Sequence, residues 1–262
     1  MIIKEVLHLN IVGYQFAINI AEVVIGIWCK YRLTLDKCKA YITNITPQII
    51  IRSDAKRYAD EHPEKNYETM WRNKKNELVW VDPEIKEFLE IRDKIAEVMI
   101  GKGFLLMHGA AVAKNGKAYI FTAPSGTGKT TRIRFWMRLY PDSVIVNGDK
   151  PMIHLSGKSV LACGIPWAGK EGWNCNIQVP IQAIYLLERS EEDCVKEISF
   201  AKAFCMLLQQ TYTPKVPEND RKRIQMLKMM EGKLRLFRFR STMTAESVQM
   251  AYEAAQAAGP IQ

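Results

Sequence analysis

The sequence predicts an α/β (α+β) fold, and three observations carry that reading. A glycine-rich loop, "TAPSGTGK", lies between the apolar run "KAYIF" and the amphipathic run "TTRIRFWMRLY", so a strand feeds a helix through a tight turn. Runs of strand period flank it on both sides. The composition is that of a globular chain: 262 residues, 48% hydrophobic and 25% charged, enough for one large core or a core with a smaller companion. No fixed-period repeat or low-complexity run is present, which excludes solenoid and fibrous classes.

Taken in order, "LHLNIVGYQFAINI" (7–20) places Leu7, Leu9 and Ile11 in one alternation and Tyr14, Phe16, Ile18 and Ile20 in the opposite one. Gly13 sits where the phase flips, which predicts two strands around a turn or bulge there. "KAYITNI" and "QIIIRS" read as further strands, and residues 53–76 as a polar loop. Asp82 and Pro83 form a cap and first-turn pair for a helix with Ile85, Leu89, Ile95 and Met99 as its apolar stripe, stopped by Gly101 and Gly103. From there the order is a strand "FLLMHGAAVA", a turn at Asn115-Gly116, a strand "KAYIFTA", the glycine loop and its helix, then a strand "SVIVNGDKPMIHL" with a turn at Ser156-Gly157. "KLRLFRFR" alternates as a strand, and "TAESVQMAYEAAQAA" is a closing helix capped by Thr244. The expected division is a small, mostly β region at 1–102 and a catalytic domain at 103–262.

The formal net charge of +9 allows nucleic acid, an anionic surface or a phosphorylated substrate. The densest basic stretch, 220–240, interleaves its charges with Ile224, Met226, Leu227, Met229 and Met230. It reads as a solvated helix face followed by a strand with outward arginines, with a docking surface for an acidic partner as the other reading. No recognition motif for nucleic acid is present. The six cysteines are scattered with no C-x-x-C pair, which predicts reduced thiols and a cytoplasmic protein. The apolar stretch between Val6 and Ala21 is interrupted by His8, Asn10, Gln15 and Asn19, so neither a signal peptide nor a membrane span is expected.

Ala123 to Thr130, A-P-S-G-T-G-K-T, fits the spacing G-x-x-x-x-G-K-[ST] except for Ala at the first glycine. Gly126 and Gly128 let the backbone curl with positive φ so that successive N–H groups converge on phosphate oxygens. Lys129 is placed to reach the β and γ phosphates, and the Thr130 hydroxyl to ligate Mg²⁺. The residues expected to bind ATP are Ser125, Gly126, Thr127, Gly128, Lys129, Thr130 and Thr131. Asp149 ends the run "SVIVNGD" only twenty positions after Lys129, so one helix and a short return bring it beside the loop. There a carboxylate holds Mg²⁺ or takes a proton from an acceptor hydroxyl; otherwise it is a turn aspartate before Pro151.

These residues resemble the family of HPr kinase/phosphorylase, and more distantly the nucleotide site of phosphoenolpyruvate carboxykinase. The likeness begins at His108-Gly109 in "LLMHGAAVAKNGKAYIFTAPSGTGKTT", continues through Asp149 and covers roughly residues 104–190. It implies a HPr kinase/carboxykinase-like P-loop core behind the β-rich region, and a bacterial kinase passing the γ-phosphate of ATP to a hydroxyl, commonly a serine, with Mg²⁺ and an aspartate base. Gly148 stands where the family has a first aspartate, and Leu161 and Cys163 stand near the places of its later charged residues, which argues against the reverse, phosphorolytic reaction.

Further candidates follow. The loop "CGIPWAGKEGWNCN" (163–176) suits a mobile substrate loop or a solvated hairpin tip. In the first case Lys170 neutralises a transferring phosphoryl group and Glu171 assists with metal. Arg189 ends the strand "IYLLERS". His108 orients Asp149 or tunes its proton affinity, or else is a satisfied histidine in a buried strand. The catalytic set is therefore Asp149, Lys129, His108 and Lys170, with Thr130, Asp149 and Glu171 as metal ligands. The predicted function is a Mg²⁺-dependent ATP:hydroxyl kinase whose acceptor is a protein or peptide serine or a small molecule. The alternative is a catalytically inactive ATP-binding regulatory module. No membrane partner is expected, and homo-oligomerisation is left open.

Overall fold

A computed structural model describes residues 4–8, 11–53, 70–72, 78–80, 82–157 and 159–259. They form a mixed α/β structure whose chain divides into two compact units, Met1–Ile95 and Ala96–Gln262.

The first unit is built on an antiparallel ladder of β1 (Lys4–His8), β2 (Ile11–Ile20) and β3 (Val23–Cys29). Neither the turn nor the bulge expected at Gly13 is there. β2 runs straight through it, with Gly13 paired to Val6. The glycine answers a close approach instead, because a Cβ on it would stand 3.1 Å from the Cys29 carbonyl oxygen on β3. The β2–β3 turn falls at Ala21 and Glu22, both at positive φ (46° and 70°), a tight hairpin made without the usual Asn-Gly signal. Phe16, Ala17 and Ile18 are all buried, so β2 is covered on both faces. Helix α1 (Arg32–Cys38) follows, then β4 (Ile42–Thr43) on β2 and β5 (Ile49–Arg52) parallel to β3. β6 (Met70–Arg72) and β7 (Leu78–Trp80) form a separate antiparallel pair, inside and just after the stretch expected to be a polar loop; 54–69 and 73–77 lie outside the described residues.

Helix α2 (Pro83–Ile100) starts where the sequence placed it, with Asp82 Oδ1 accepting from the Glu84 amide at 2.9 Å. Its stripe begins later than expected: Ile85 is 46% exposed, whereas Ile91, Ile95 and Met99 are buried. The second turn instead buries Glu87, whose carboxylate accepts from the amides of Lys30 and Tyr31 at 2.7 and 2.9 Å. Burial raises that carboxyl's proton affinity and the two amides oppose it.

The second unit holds one sheet. In chain order its strands are β8 (Phe104–Leu106), β9 (Gly109–Lys114), β10 (Lys117–Thr122), β11 (Val144–Asn147), β12 (Met152–Ser156), β13 (Ser159–Cys163), β14 (Gln178–Arg189), β15 (Cys194–Glu197) and β16 (Arg235–Ser241). Laterally they run β11-β9-β10-β14-β13-β12-β8, with β16 on the second half of β14 and β15 on β16. β10, β14 and β16 are parallel, so Thr122, Arg189 and Ser241 end at the same sheet edge.

Alternation in these strands loads both faces. Tyr119, Phe121, Tyr185 and Phe239 pack with Ile133 and Trp136 of α3 (Lys129–Leu139) and with Val248, Ala251 and Ala255 of the last helix, α6 (Ala245–Ala257). Ile120, Ile184 and Leu186 pack on the other face with Ala203 and Leu207 of α4 (Phe200–Gln210) and Met226 and Leu227 of α5 (Pro217–Met229). Each fully buried Leu, Ile or Phe here is worth about 1.5–3 kcal/mol of transfer free energy. The predicted Thr244 cap is present, its Oγ1 accepting from the Ser247 amide.

The basic 220–240 stretch is a helix and a strand with arginines outward: Arg238 meets Glu188 and Arg235 meets Glu197. Arg223 is the exception to the solvated reading. It is 5% exposed and donates to the carbonyls of Leu208 and Thr211 and to Thr211 Oγ1. No described helix is long and apolar enough to cross a membrane, and none of the six cysteines is in a disulfide.

Candidate functional site

The glycine loop leaves β10 at Thr122 and enters α3 at Lys129. Gly126 and Gly128 both take left-handed backbone, φ 83° and 104°, which is what turns successive amides inward. Thr127 Oγ1 donates back to the Pro124 carbonyl at 2.9 Å, and Arg189, from the end of β14, donates to the Gly126 carbonyl at 2.5 Å. Lys129 is buried, and its Nζ donates to the carbonyls of Ala123 and Pro124 at 2.8 and 3.2 Å. The ammonium thus braces the curl that a phosphate would fill. Thr130 and Thr131 occupy the first turn of the helix behind it.

The expected single strand "SVIVNGDKPMIHL" is broken into β11 and β12, and the break carries Asp149. Asn147, fully buried at the end of β11, accepts on Oδ1 from the amides of Asp149 (2.9 Å) and Lys150 (2.6 Å). Its Nδ2 donates to the Ile165 and Trp167 carbonyls at 2.9 and 3.3 Å. That side chain replaces the ladder that a continued strand would have supplied. The "FLLMHGAAVA" run breaks likewise between β8 and β9, where the Gly109 amide donates to the Asp149 carbonyl at 2.9 Å. The two breaks face each other.

His108 lies in the second break. Its Nε2 is 3.6 Å from Asp149 Oδ1, and its Nδ1 is 3.1 Å from Gln210 Oε1 at the end of α4. The Asp149 Oδ2 is 2.7 Å from Lys150 Nζ. Burial, then the charges of Lys129 and Lys150, push the His108 pKa down to about 4, with Asp149 and Gln210 opposing. The ring is therefore neutral near pH 7, and its bond to the Gln210 oxygen puts the proton on Nδ1. Nε2 then presents a lone pair toward Asp149, and two acceptors facing each other call for a donor between them.

The loop 163–176 is less open than a mobile substrate loop would be. Gly164 to Ala168 are buried, and its return is tied down by Gly148 amide to Trp173 carbonyl (2.8 Å) and Cys175 amide to Val146 carbonyl (3.2 Å). Exposure is confined to the tip, 169–172, and to Asn176 at the far end. Gly169, at φ 74°, backs onto Asp149, and a Cβ there would stand 3.0 Å from the aspartate's own. Lys170 is exposed at the tip, and the Glu171 carboxylate lies 3.6 Å from Arg134 on α3.

The donor set suits a cation that arrives with a nucleotide. Thr130 supplies a hydroxyl and Asp149 a carboxylate, while no group of three or more His, Cys, Asp or Glu gathers among the described residues. Mg²⁺ is ordinarily held by one or two protein ligands together with substrate phosphates rather than by an all-protein cage, so these two residues fit it.

Sequence reasoning missed Lys150, Gln210, Asn147 and Met243. The Met243 thioether lies over Gly128, with Sδ 2.6 Å from where a Cβ would stand. Met243 itself sits at φ 74° beside Thr242, which is anchored to Asp193. Lys150 alone carried a signal, its adjacency to Asp149.

The family described as "SynChlorMet cassette protein ScmC" matches residues 83–247, from α2 into α6 and including every site residue named above. The chain belongs to the ScmC family. No curated protein matches it. Among solved structures, "Structure of the Hpr(Ser) kinase/phosphatase from Coxiella burnetii" is similar at 7% identity and a TM-score of 0.35, covering 58% of this chain and 95% of that one.

Proposed function

We propose that this ScmC-family chain is a Mg²⁺-dependent kinase that transfers the γ-phosphate of ATP to a hydroxyl, on a protein or peptide serine or a small molecule. The observation that carries the reading is the tie between two loops through His108, whose carbonyl accepts from Thr122 Oγ1 at the foot of the glycine loop and whose ring meets Asp149. On one side is a curl with Gly126 and Gly128 in left-handed backbone opening a helix at Lys129. On the other is Asp149, with His108 Nε2 beside its Oδ1.

The roles follow from charge. Loop amides and Lys129 hold the β and γ phosphates, Lys129 exchanging the Ala123 and Pro124 carbonyls for phosphate oxygens. Thr130 and Asp149 would hold Mg²⁺, which supplies positive charge to the phosphates. Asp149 receives the proton as the acceptor O–H breaks, the acceptor oxygen bonds to phosphorus, and the bond from phosphorus to the bridging oxygen breaks with its electrons leaving on ADP. His108, neutral and oriented by Gln210, directs its Nε2 lone pair at the same hydroxyl.

One observation favours the second reading, an ATP-binding regulatory module. Lys150 Nζ already occupies Asp149 Oδ2 at 2.7 Å, so that oxygen is engaged before any acceptor hydroxyl arrives. Transfer of labelled γ-phosphate into a host extract, separated into peptide and metabolite fractions, decides between them. The kinase reading expects a labelled acceptor that falls about 10²–10⁴-fold with Asp149→Asn. Labelling in neither fraction with ATP binding intact selects the module.

A further inference from the structure

Building on the kinase reading, we propose that Lys150 is the second ammonium of the site, contacting the γ-phosphoryl group from the side opposite Lys129. That is the role the sequence suggested for Lys170.

Placement comes first. The Lys150 amide is fixed on the buried Asn147 side chain at 2.6 Å, and its neighbours are bonded on both sides, Asp149 through its carbonyl to Gly109 and Pro151 through its carbonyl to the Met107 amide. The side chain is only 25% exposed and ends 2.7 Å from Asp149 Oδ2. Lysine has four rotatable bonds and loses rotamer freedom when held, so an ordinary surface lysine stays in water. This one is kept at the mouth of the site. Lys170, by contrast, stands exposed at a loop tip.

Direction comes second. Lys150 Nζ lies on Asp149 Oδ2, whose other oxygen is 3.6 Å from the His108 ring, and the His108 carbonyl accepts from Thr122 Oγ1, one residue before the Ala123 carbonyl that takes Lys129 Nζ. Two ammoniums tied this way to one histidine also border the space in front of its ring, and that space lies between the phosphate loop and Asp149. A γ-phosphoryl group brought there by Lys129 meets Lys150 on its far side.

The chemistry closes without a further reactant. Before transfer, one Lys150 N–H stays on the Asp149 carboxylate while another meets the γ-phosphoryl group. As the acceptor O–H breaks and Asp149 takes the proton, the carboxyl loses the charge that held the ammonium. Lys150 keeps its three protons and turns onto phosphoryl oxygens as the acceptor oxygen–phosphorus bond forms and the bond to ADP breaks. Positive charge is thereby delivered where negative charge is spreading.

The test uses the full chain with Lys150→Met and Lys150→Arg, each first checked by thermal melting for a fold like the wild type. Calorimetry with Mg²⁺ measures affinity for ADP and for the non-transferring imido analogue of ATP. Lys150→Met is expected to weaken the analogue about tenfold and leave ADP unchanged, with Lys150→Arg in between. Equal analogue affinity for wild type and a folded Lys150→Met overturns the proposal, whatever the transfer assay gives. Loss of analogue affinity in Lys150→Met from a wild type that labels no acceptor keeps the contact and removes the kinase reading instead.

Discussion

His108 and Asp149 come from two separate strand breaks and meet with Nε2 3.6 Å from Oδ1, while Gln210 holds the other ring nitrogen at 3.1 Å. The ring's pKa is pushed down to about 4, first by burial and then by Lys129 and Lys150, against the pull of Asp149 and Gln210. An unfolded histidine titrates near 6.5. Between these values the unfolded chain binds more protons, so this group makes stability rise with pH and erodes it as pH falls from about 6.5 to about 4. The melting temperature is expected to drop by on the order of 5 °C from pH 6.5 to 4.5 on this account, and His108→Asn to flatten that part of the profile. Parallel wild-type and variant profiles would show that other groups carry the acid loss.

Lys129 should report on the same ring. Lys129→Met removes the ammonium that braces Ala123 and Pro124 and lowers His108's proton affinity. ATP affinity is expected to fall about 100-fold, the scale of losing a charge-assisted contact. The His108 ring resonance, followed by NMR, should titrate at higher pH than in the wild type. An unmoved titration would mean that Lys129 does not face the imidazole.

How much of this was legible depends on how local the cause is. The phosphate loop was readable because each of its positions answers to its own backbone: glycine where φ is positive, lysine and threonine where a helix opens. Asp149 was reachable for the same reason, one helix away. Lys150 was hidden by strand logic. In a continuous strand neighbouring side chains point to opposite faces, so reading "SVIVNGDKPMIHL" as one strand sent Lys150 away from Asp149, and only the Asn147 clamp brings both forward. Gln210 had no local signal at all. It arrives at the end of α4 because the His108 amide and the Tyr212 amide are stitched to that segment and to β8, through the Gln210 and Leu106 carbonyls. Gly13 shows the opposite error, a glycine required by a neighbouring strand's carbonyl and misread as a turn.

Arg223 should matter to stability more than its basic neighbours. Its guanidinium satisfies the carbonyls of Leu208 and Thr211, and Asp220 pairs with it at 2.7 Å. Arg223→Met leaves the Thr211 carbonyl and the Asp220 carboxylate without the guanidinium, while the Leu208 carbonyl keeps Thr211, at a cost of about 2–4 kcal/mol and a melting temperature lower by about 5–10 °C. Lys222→Met, on an exposed i,i+4 pair with Glu218, should change it by less than about 2 °C. A similar loss for both would place the stabilisation in the helix's charge rather than in the buried guanidinium. Since Gln210 sits one residue from Thr211, the Arg223 variant should also disturb the His108 titration.

The Met243 contact on Gly128 separates two reasons for a glycine. A Cβ at Gly128 would collide with the thioether, yet that end of methionine is flexible and can rotate away. The backbone cannot: φ of 104° costs an L-residue about 1–2 kcal/mol wherever its neighbours move. Gly128→Ala should therefore lose that much stability, and Gly128→Ala with Met243→Ala should recover little of it. ATP affinity should stay low in both, because the curl that aims the amides is what has been damaged. Met243→Gly tests the strap alone. It relieves the left-handed φ of 74°, so stability should hold or rise by up to about 1 kcal/mol even though the thioether contact is gone. Full recovery of ATP binding in the double variant would show that the Gly128 requirement is the space under Met243 and not the backbone of the loop.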